Sequence, residues 1–235
     1  MVPSAFRAAL NTLAPRLALL AFVSGRDVRQ AHAMVGVDGA VYVGLHGFDV
    51  LAADGTVERD PSAAPYVAAV QLIAGRLRDL DAGRLGLVVE NKGPLLDLHY
   101  RQAPDPAATL AVLEERILAP ARDLGLAVTT GHCLVELRPP EPVDKGTAVL
   151  SLLARIESSG GVARVALFLG DDLTDCHGFA AVHGWAGARD ERRGLAVAAL
   201  TDETPQRVRD EADVWVAATP GIAEVLRRLR LATEL

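Results

Sequence analysis

The sequence predicts an α/β protein with a doubly wound parallel-sheet core that is interrupted by an inserted α+β unit. Three observations predict it. The runs Leu17–Val23 and Val162–Leu169 are almost wholly apolar, as strands covered on both faces are. After about residue 140 such runs alternate with helical patterns, the order of a doubly wound sheet. Between about 62 and 139, helical patterns instead alternate with paired strand-like runs, as in a separate α+β unit. The core is therefore expected at 1–61 and 140–235, with the insertion at 62–139.

Taken in order, Pro3 to Ala14 has the apolar spacing of an amphipathic helix through Phe6, Leu10 and Leu13. Leu17–Val23 is the first strand and ends in Ser24-Gly25-Arg26-Asp27, and Val28 to Met34 reads as helix. Ala40 to Gly47 is a short strand running into a Gly-His turn, and Ala53-Asp54-Gly55 marks a hairpin within Phe48 to Glu58. In the insertion, Ala64–Leu80 and Asp105–Leu124 read as helices, and Leu85–Glu90, Leu95–Tyr100, Leu126–Thr129 and Cys133–Leu137 as strands. The prolines at 139, 140 and 142 close the unit. Then follow a helix over Lys145–Ile156, the strand Val162–Leu169, helix over Gly178–Val182, strand at Gly194–Ala199, helix at Pro205–Glu211, strand at Val214–Ala217 and a last helix at Pro220–Leu231.

Composition narrows the function. The 235 residues carry 24 basic and 30 acidic side chains, a net charge of −6, which argues against a general nucleic-acid binder. Two cysteines, Cys133 and Cys176, make no disulfide framework and fit a reducing cytosol. The first 20 residues lack the long apolar core of a signal peptide or membrane span, so a cytoplasmic location with no membrane partner is expected.

Gly170-Asp171-Asp172-Leu173-Thr174-Asp175 puts three carboxylates at the end of a buried strand. Acids that close repel one another unless a cation or solvent screens them. An acidic turn capping the next helix uses the same residue types. The company of the turn favours phosphate chemistry. Ser24-Gly25-Arg26 follows one strand and Lys145 opens a helix. Hydroxyl, ammonium and helix amino terminus all neutralise phosphate oxygens, while acids hold a bridging Mg²⁺.

Together with Gly44-Leu45-His46-Gly47, Glu90-Asn91-Lys92, Leu98-His99-Tyr100-Arg101, Glu136-Leu137-Arg138-Pro139 and Asp144-Lys145-Gly146, these motifs carry a resemblance. The chain resembles the trehalose-6-phosphate phosphatase family of the haloacid dehalogenase-like (HAD) hydrolases from Leu17 to Leu229. The resemblance implies a HAD-like core with an inserted cap, and hydrolysis of trehalose 6-phosphate to trehalose and phosphate. It implies that Ser24 and Lys145 bind the transferring phosphoryl group and that Asp171, Asp172 and Asp175 hold or orient Mg²⁺. It also implies sugar recognition by Glu90, Lys92, Gly131, His132 and Glu136, with Arg26 on the core side.

The chain departs from the family at its beginning. The family's Asp-x-Asp-Gly-Thr motif on the first core strand, which carries the nucleophile and the acid/base, has no complete copy here. Val37-Asp38-Gly39-Ala40 and Asp54-Gly55-Thr56 are fragments that fall after Ser24, and both read as turns. Without the nucleophile no aspartyl-phosphate forms, and a missing central strand leaves unpaired backbone on its neighbours. A chain beginning downstream of that strand is one account. A non-catalytic sugar-phosphate-binding or regulatory homologue is the other, and a phosphatase for another sugar phosphate is a third possibility. A second departure is Cys176-His177, where the family has acids. Two ligands alone make a poor zinc site.

Overall fold

In the computed structural model the described residues are 2–52, 54–80, 83–131, 133–140 and 143–232. They divide into two compact units, Met1–Glu58 with Val143–Leu235, and Arg59–Pro142. The sequence reading put those boundaries near 61 and 140. Ala53, Glu141 and Pro142, from the expected hairpin and proline turn, lie outside the described residues.

The first unit opens with helix α1 (Ser4–Leu13), which buries Leu10 and Leu13. Strand β1 (Ala21–Val23) follows. Helix α2 (Val28–Val35) is capped by the Asp27 carboxylate, which accepts from the Arg29 and Gln30 N–H groups. Strands β2 (Val41–Gly44), β3 (Asp49–Leu51) and β4 (Val57–Arg59) complete a sheet in the order β1-β2-β3-β4. β1 pairs parallel with β2, and β3 turns back antiparallel. The fragments around Asp38 and Asp54 are turns.

The second unit comprises α3 (Ala64–Asp79), β5 (Val88–Asn91), β6 (Leu96–His99), α4 (Pro106–Leu113), α5 (Ala119–Asp123), β7 (Ala127–Gly131) and β8 (Leu134–Arg138). The helix expected over Asp105–Leu124 is interrupted by a π-helical turn at Glu114–Leu118. The four strands form an antiparallel sheet ordered β5-β6-β8-β7. Leu96, Leu98, Val135 and Leu137 on one face pack with Val70, Ile73, Leu77, Leu113 and Ile117 from the helices. Period-2 alternation leaves the other face to polar residues.

The first unit resumes with α6 (Lys145–Ser158), β9 (Val165–Gly170), α7 (Asp175–Gly187), β10 (Arg193–Leu200), α8 (Gln206–Glu211), β11 (Val214–Ala217) and α9 (Ala218–Ala232). Here β9, β10 and β11 form a parallel sheet ordered β11-β10-β9. The helix at α7 is longer than the Gly178–Val182 expected, because Phe179, Val182 and Trp185 continue its buried stripe.

The core of the first unit thus stands as two sheets, with β1 at an edge of one and β9 at an edge of the other. The first strand is shorter and more exposed than expected. Only Ala21–Val23 of Leu17–Val23 is strand, and all three residues are half-buried. Among the described residues nothing pairs with the second edge of β1, although both its faces meet apolar residues: Phe22 packs with the cluster of Tyr42, and Ala21 and Val23 with that of Ala148 and Leu152. Side chains join the sheets: Val23 packs against the cluster that holds Phe168, Cys176 and Phe179 and against that of Ala148 and Leu152.

Candidate functional site

In the first unit the polar loops follow strand ends and helix starts. Ser24 follows β1. Its N–H donates to Val43 O at 2.9 Å, and its Oγ accepts the Arg26 N–H at 3.2 Å. An oxygen used as acceptor keeps its own proton free to donate to a ligand. Lys145 opens α6, whose N-cap is a capping box between Asp144 and Thr147. Although Lys145 is only 9% exposed, its ammonium is paired, 2.6 Å from Asp175 Oδ1.

Asp175 Oδ2 accepts the N–H groups of Asp171 and Asp172, each at 3.0 Å. Both oxygens of Asp175 are therefore committed to protein donors. A β-carbon on Gly170 would sit 2.3 Å from Asp175 Cβ, so this tight turn requires glycine there. Burial, then the charges of Asp175 and Asp172, push the Asp171 carboxyl above its ordinary value against the pull of Lys145. A cation relieves such like-charge crowding. The oxygens fit one only in part: Asp171 and Asp172 can offer theirs, whereas Asp175 is turned to Lys145 and the backbone.

Cys176 and His177 do not extend this set. Burial and a hydrogen bond to Glu211 push the Cys176 thiol up to about 11, which leaves little thiolate for a metal. His177 Nδ1 faces Asp144 Oδ2 at 3.3 Å.

In the second unit the polar face of the sheet carries a cross-strand row. Glu90 stands opposite Asp97, Asp97 opposite Glu136, and Glu136 opposite Thr129. The Lys92 ammonium bonds Asp97 Oδ2 and lies 3.6 Å from Glu90 Oε2. Burial, then the Asp97 charge, raise the Glu136 carboxyl, with Arg138 and Lys92 opposing. One ligand atom from each of Glu90, Asp97 and His99 lies within 4.8 Å of the others. Asp171, Asp172 and Asp175 do not converge in this way. Close acids and bases on one sheet face can exchange hydrogen bonds with a polyol.

The structure thus places Ser24, Arg26, Lys145, Asp171, Asp172 and Asp175 in the first unit and Glu90, Lys92 and Glu136 together in the second. Gly131, opposite Leu134, ends β7 outside the carboxylate row. His132 lies outside the described residues. Sequence reading passed over Asp97 and named His99 only within a family motif, with no role in the site. The alternation Leu96-Asp97-Leu98-His99 was the signal that puts them on the face of Glu90 and Glu136.

A parallel core with acids after β9, a helix-start lysine after an inserted unit and a hydroxyl after β1 defines the chain as a HAD-like hydrolase in fold. Solved structures support that fold. A trehalose-6-phosphate phosphatase related protein matches with a TM-score of 0.73 at 20% identity, over 98% of this chain and 88% of that one. The C-terminal domain of C. albicans trehalose-6-phosphate phosphatase matches with a TM-score of 0.70 at 20% identity, over 98% and 84%. The trehalose-phosphatase family model matches residues 1–209, and the chain belongs to that family. Trehalose-phosphate phosphatase of Mycolicibacterium paratuberculosis is 39% identical over 178 residues, 75% of this chain and 44% of the relative. That of Mycobacterium tuberculosis is 36% identical over 191 residues, 78% and 46%. The chain spans less than half the length of these curated relatives.

Proposed function

We propose that the protein is a phosphoric monoester hydrolase of trehalose biosynthesis acting on trehalose 6-phosphate, and that residues 1–235 supply its phosphate- and sugar-holding machinery. The observation that carries this is the continuous set of contacts running from Lys145 through Asp175 to the Asp171-Asp172 backbone, at the carboxyl end of a parallel strand, where such sheets bind ligands. The family match supports the substrate, as do the relatives' names.

In this reading the Ser24 hydroxyl donates to a phosphoryl oxygen, and Lys145 shares its ammonium between Asp175 and a second oxygen. Asp171 and Asp172 would hold a divalent cation, Mg²⁺ in this family, which neutralises phosphoryl charge when bound. Asp175 orients Lys145 and the acidic turn. Glu90, Lys92 and Glu136 take sugar hydroxyls. No membrane or nucleic-acid partner enters the reading. Among the described residues no helix is long and apolar enough to cross a membrane. The cytoplasmic location in this reading rests on the two cysteines, which make no disulfide framework. The attacking aspartate is not among these residues at the family's position. The chain of 235 residues is therefore expected to bind trehalose 6-phosphate with Mg²⁺ and to release phosphate no faster than background.

Calorimetric titration with trehalose 6-phosphate, with Ser24→Ala and Lys145→Ala beside the wild type, tests it. Each variant is expected to weaken binding at least about tenfold, the loss of one charge-assisted hydrogen bond. Tighter binding of sucrose phosphate or mannosylglycerate phosphate would overturn the substrate. Metal-dependent phosphate release by this chain would overturn the expectation that it does not turn over. A second reading, a regulatory protein without turnover, is favoured by the absence of the attacking aspartate from these residues.

A further inference from the structure

The turn Gly44-Leu45-His46-Gly47 is strained and touches both phosphate-holding elements of the first unit. Leu45 and His46 both take left-handed backbone, with φ of 52° and 63°. Non-glycine residues hold that conformation only where the surroundings enforce it. Here the enforcement is visible. Leu45 N–H donates to Arg26 O at 2.9 Å and His46 N–H to Ser24 O at 3.0 Å. A β-carbon on Gly44 would lie 2.9 Å from Arg26 O. On the far side, a β-carbon on Gly47 would lie 2.8 Å from Val143 Cγ1 and 3.3 Å from Asp144 O, beside the cap of α6.

The backbone alone does not ask for histidine, since glycine or asparagine holds a left-handed turn at least as well. The side chain has its own place. A β-carbon on Gly25 would lie 2.5 Å from His46 Nε2 and 2.6 Å from Cε1, so the imidazole lies on Gly25. Gly25 is the middle residue of the loop in which Ser24 Oγ accepts the Arg26 N–H.

We propose that His46 is a positioning residue for phosphate binding: its ring presses on Gly25 and holds the Ser24-Gly25-Arg26 loop with the Ser24 hydroxyl turned to the phosphoryl group. This rests on the reading that Ser24 and Lys145 hold that group. His46 acts through the loop and not on the reacting atoms.

The test uses His46→Gly, which keeps the left-handed turn and removes only the ring. The full chain is expected to melt within a few degrees of wild type, to bind trehalose 6-phosphate at least about tenfold more weakly, and to exchange its Arg26 amide at least about tenfold faster. Gly25→Ala alone should weaken binding because its methyl group meets the ring. Gly25→Ala with His46→Gly should bind no worse than His46→Gly alone, the non-additivity expected of groups in contact. Wild-type affinity and Arg26 exchange in His46→Gly, or additive losses in the double variant, overturn the proposal. If Ser24→Ala and Lys145→Ala weaken binding and His46→Gly does not, the positioning role alone fails. If those two variants bind as the wild type does, the phosphate-site reading fails; the Arg26 amide then decides the loop-holding role by itself.

Discussion

Lys145 and Asp175 are each nine-tenths or more buried and answer each other's charge. A buried pair contributes less than its geometry implies, but breaking it strands a charge. Lys145→Ala is expected to cost about 3 kcal/mol, read as a lowered urea midpoint. Asp175→Ala added to it should cost little more, because the partner is already gone. Equal and additive losses would show the pair is not coupled. Asp213 gives a pH-dependent case. The Ala196 N–H and His183 hold its carboxyl below the usual aspartate range. A depressed folded value means that its stabilisation is present above the unfolded value and lost as pH falls through the folded one. Asp213→Asn should therefore melt below wild type at pH 7, and the gap should close on acidification below the ordinary aspartate range. A gap that stays constant argues against the assignment.

At the scale of elements, α7 lies on the strands through glycines. A β-carbon on Gly194 of β10 would meet Val182 O of α7 at 2.2 Å, and backbone there cannot give way cheaply. Gly194→Ala is expected to destabilise by about 2–3 kcal/mol, checked by thermal melting; a neutral result would mean that α7 slides freely on β10. The same elements show what the sequence makes legible. The stripe that builds α7 and the alternation that gives β5, β6 and β8 two chemically different faces can be read from residue order, because each depends on local periodicity. The π-helical turn at Glu114–Leu118 could not, since it changes no residue type. Nor could the bonding of Asp175. Its spacing from Asp171 declares an acidic turn, but only the folded loop shows that both its oxygens are spent on Lys145 and two backbone N–H groups. The left-handed Leu45 was equally hidden, because a buried leucine normally signals nothing beyond core.

At the scale of the whole first unit, backbone pairing is uneven. β10 is bonded on both sides, whereas β1 and β9 each have one partner among the described residues. Amide exchange should reflect this, with β10 slowest and β1 and the outward amides of β9 at least about tenfold faster. Uniform protection across the three strands would contradict the split. What spans the split is packing between side chains, chiefly Val23 with the clusters of Phe168 and of Ala148. Hydrogen-bonded ladders are stiff along their rungs, whereas apolar contacts slide at little cost. Within residues 1–235 the separation between the Ser24 loop and the acidic turn is therefore set by side-chain packing and not by a shared ladder. A phosphoryl group gripped from both sides would serve as a rung there, so ligand binding is expected to slow amide exchange in β1 and β9 of this chain together.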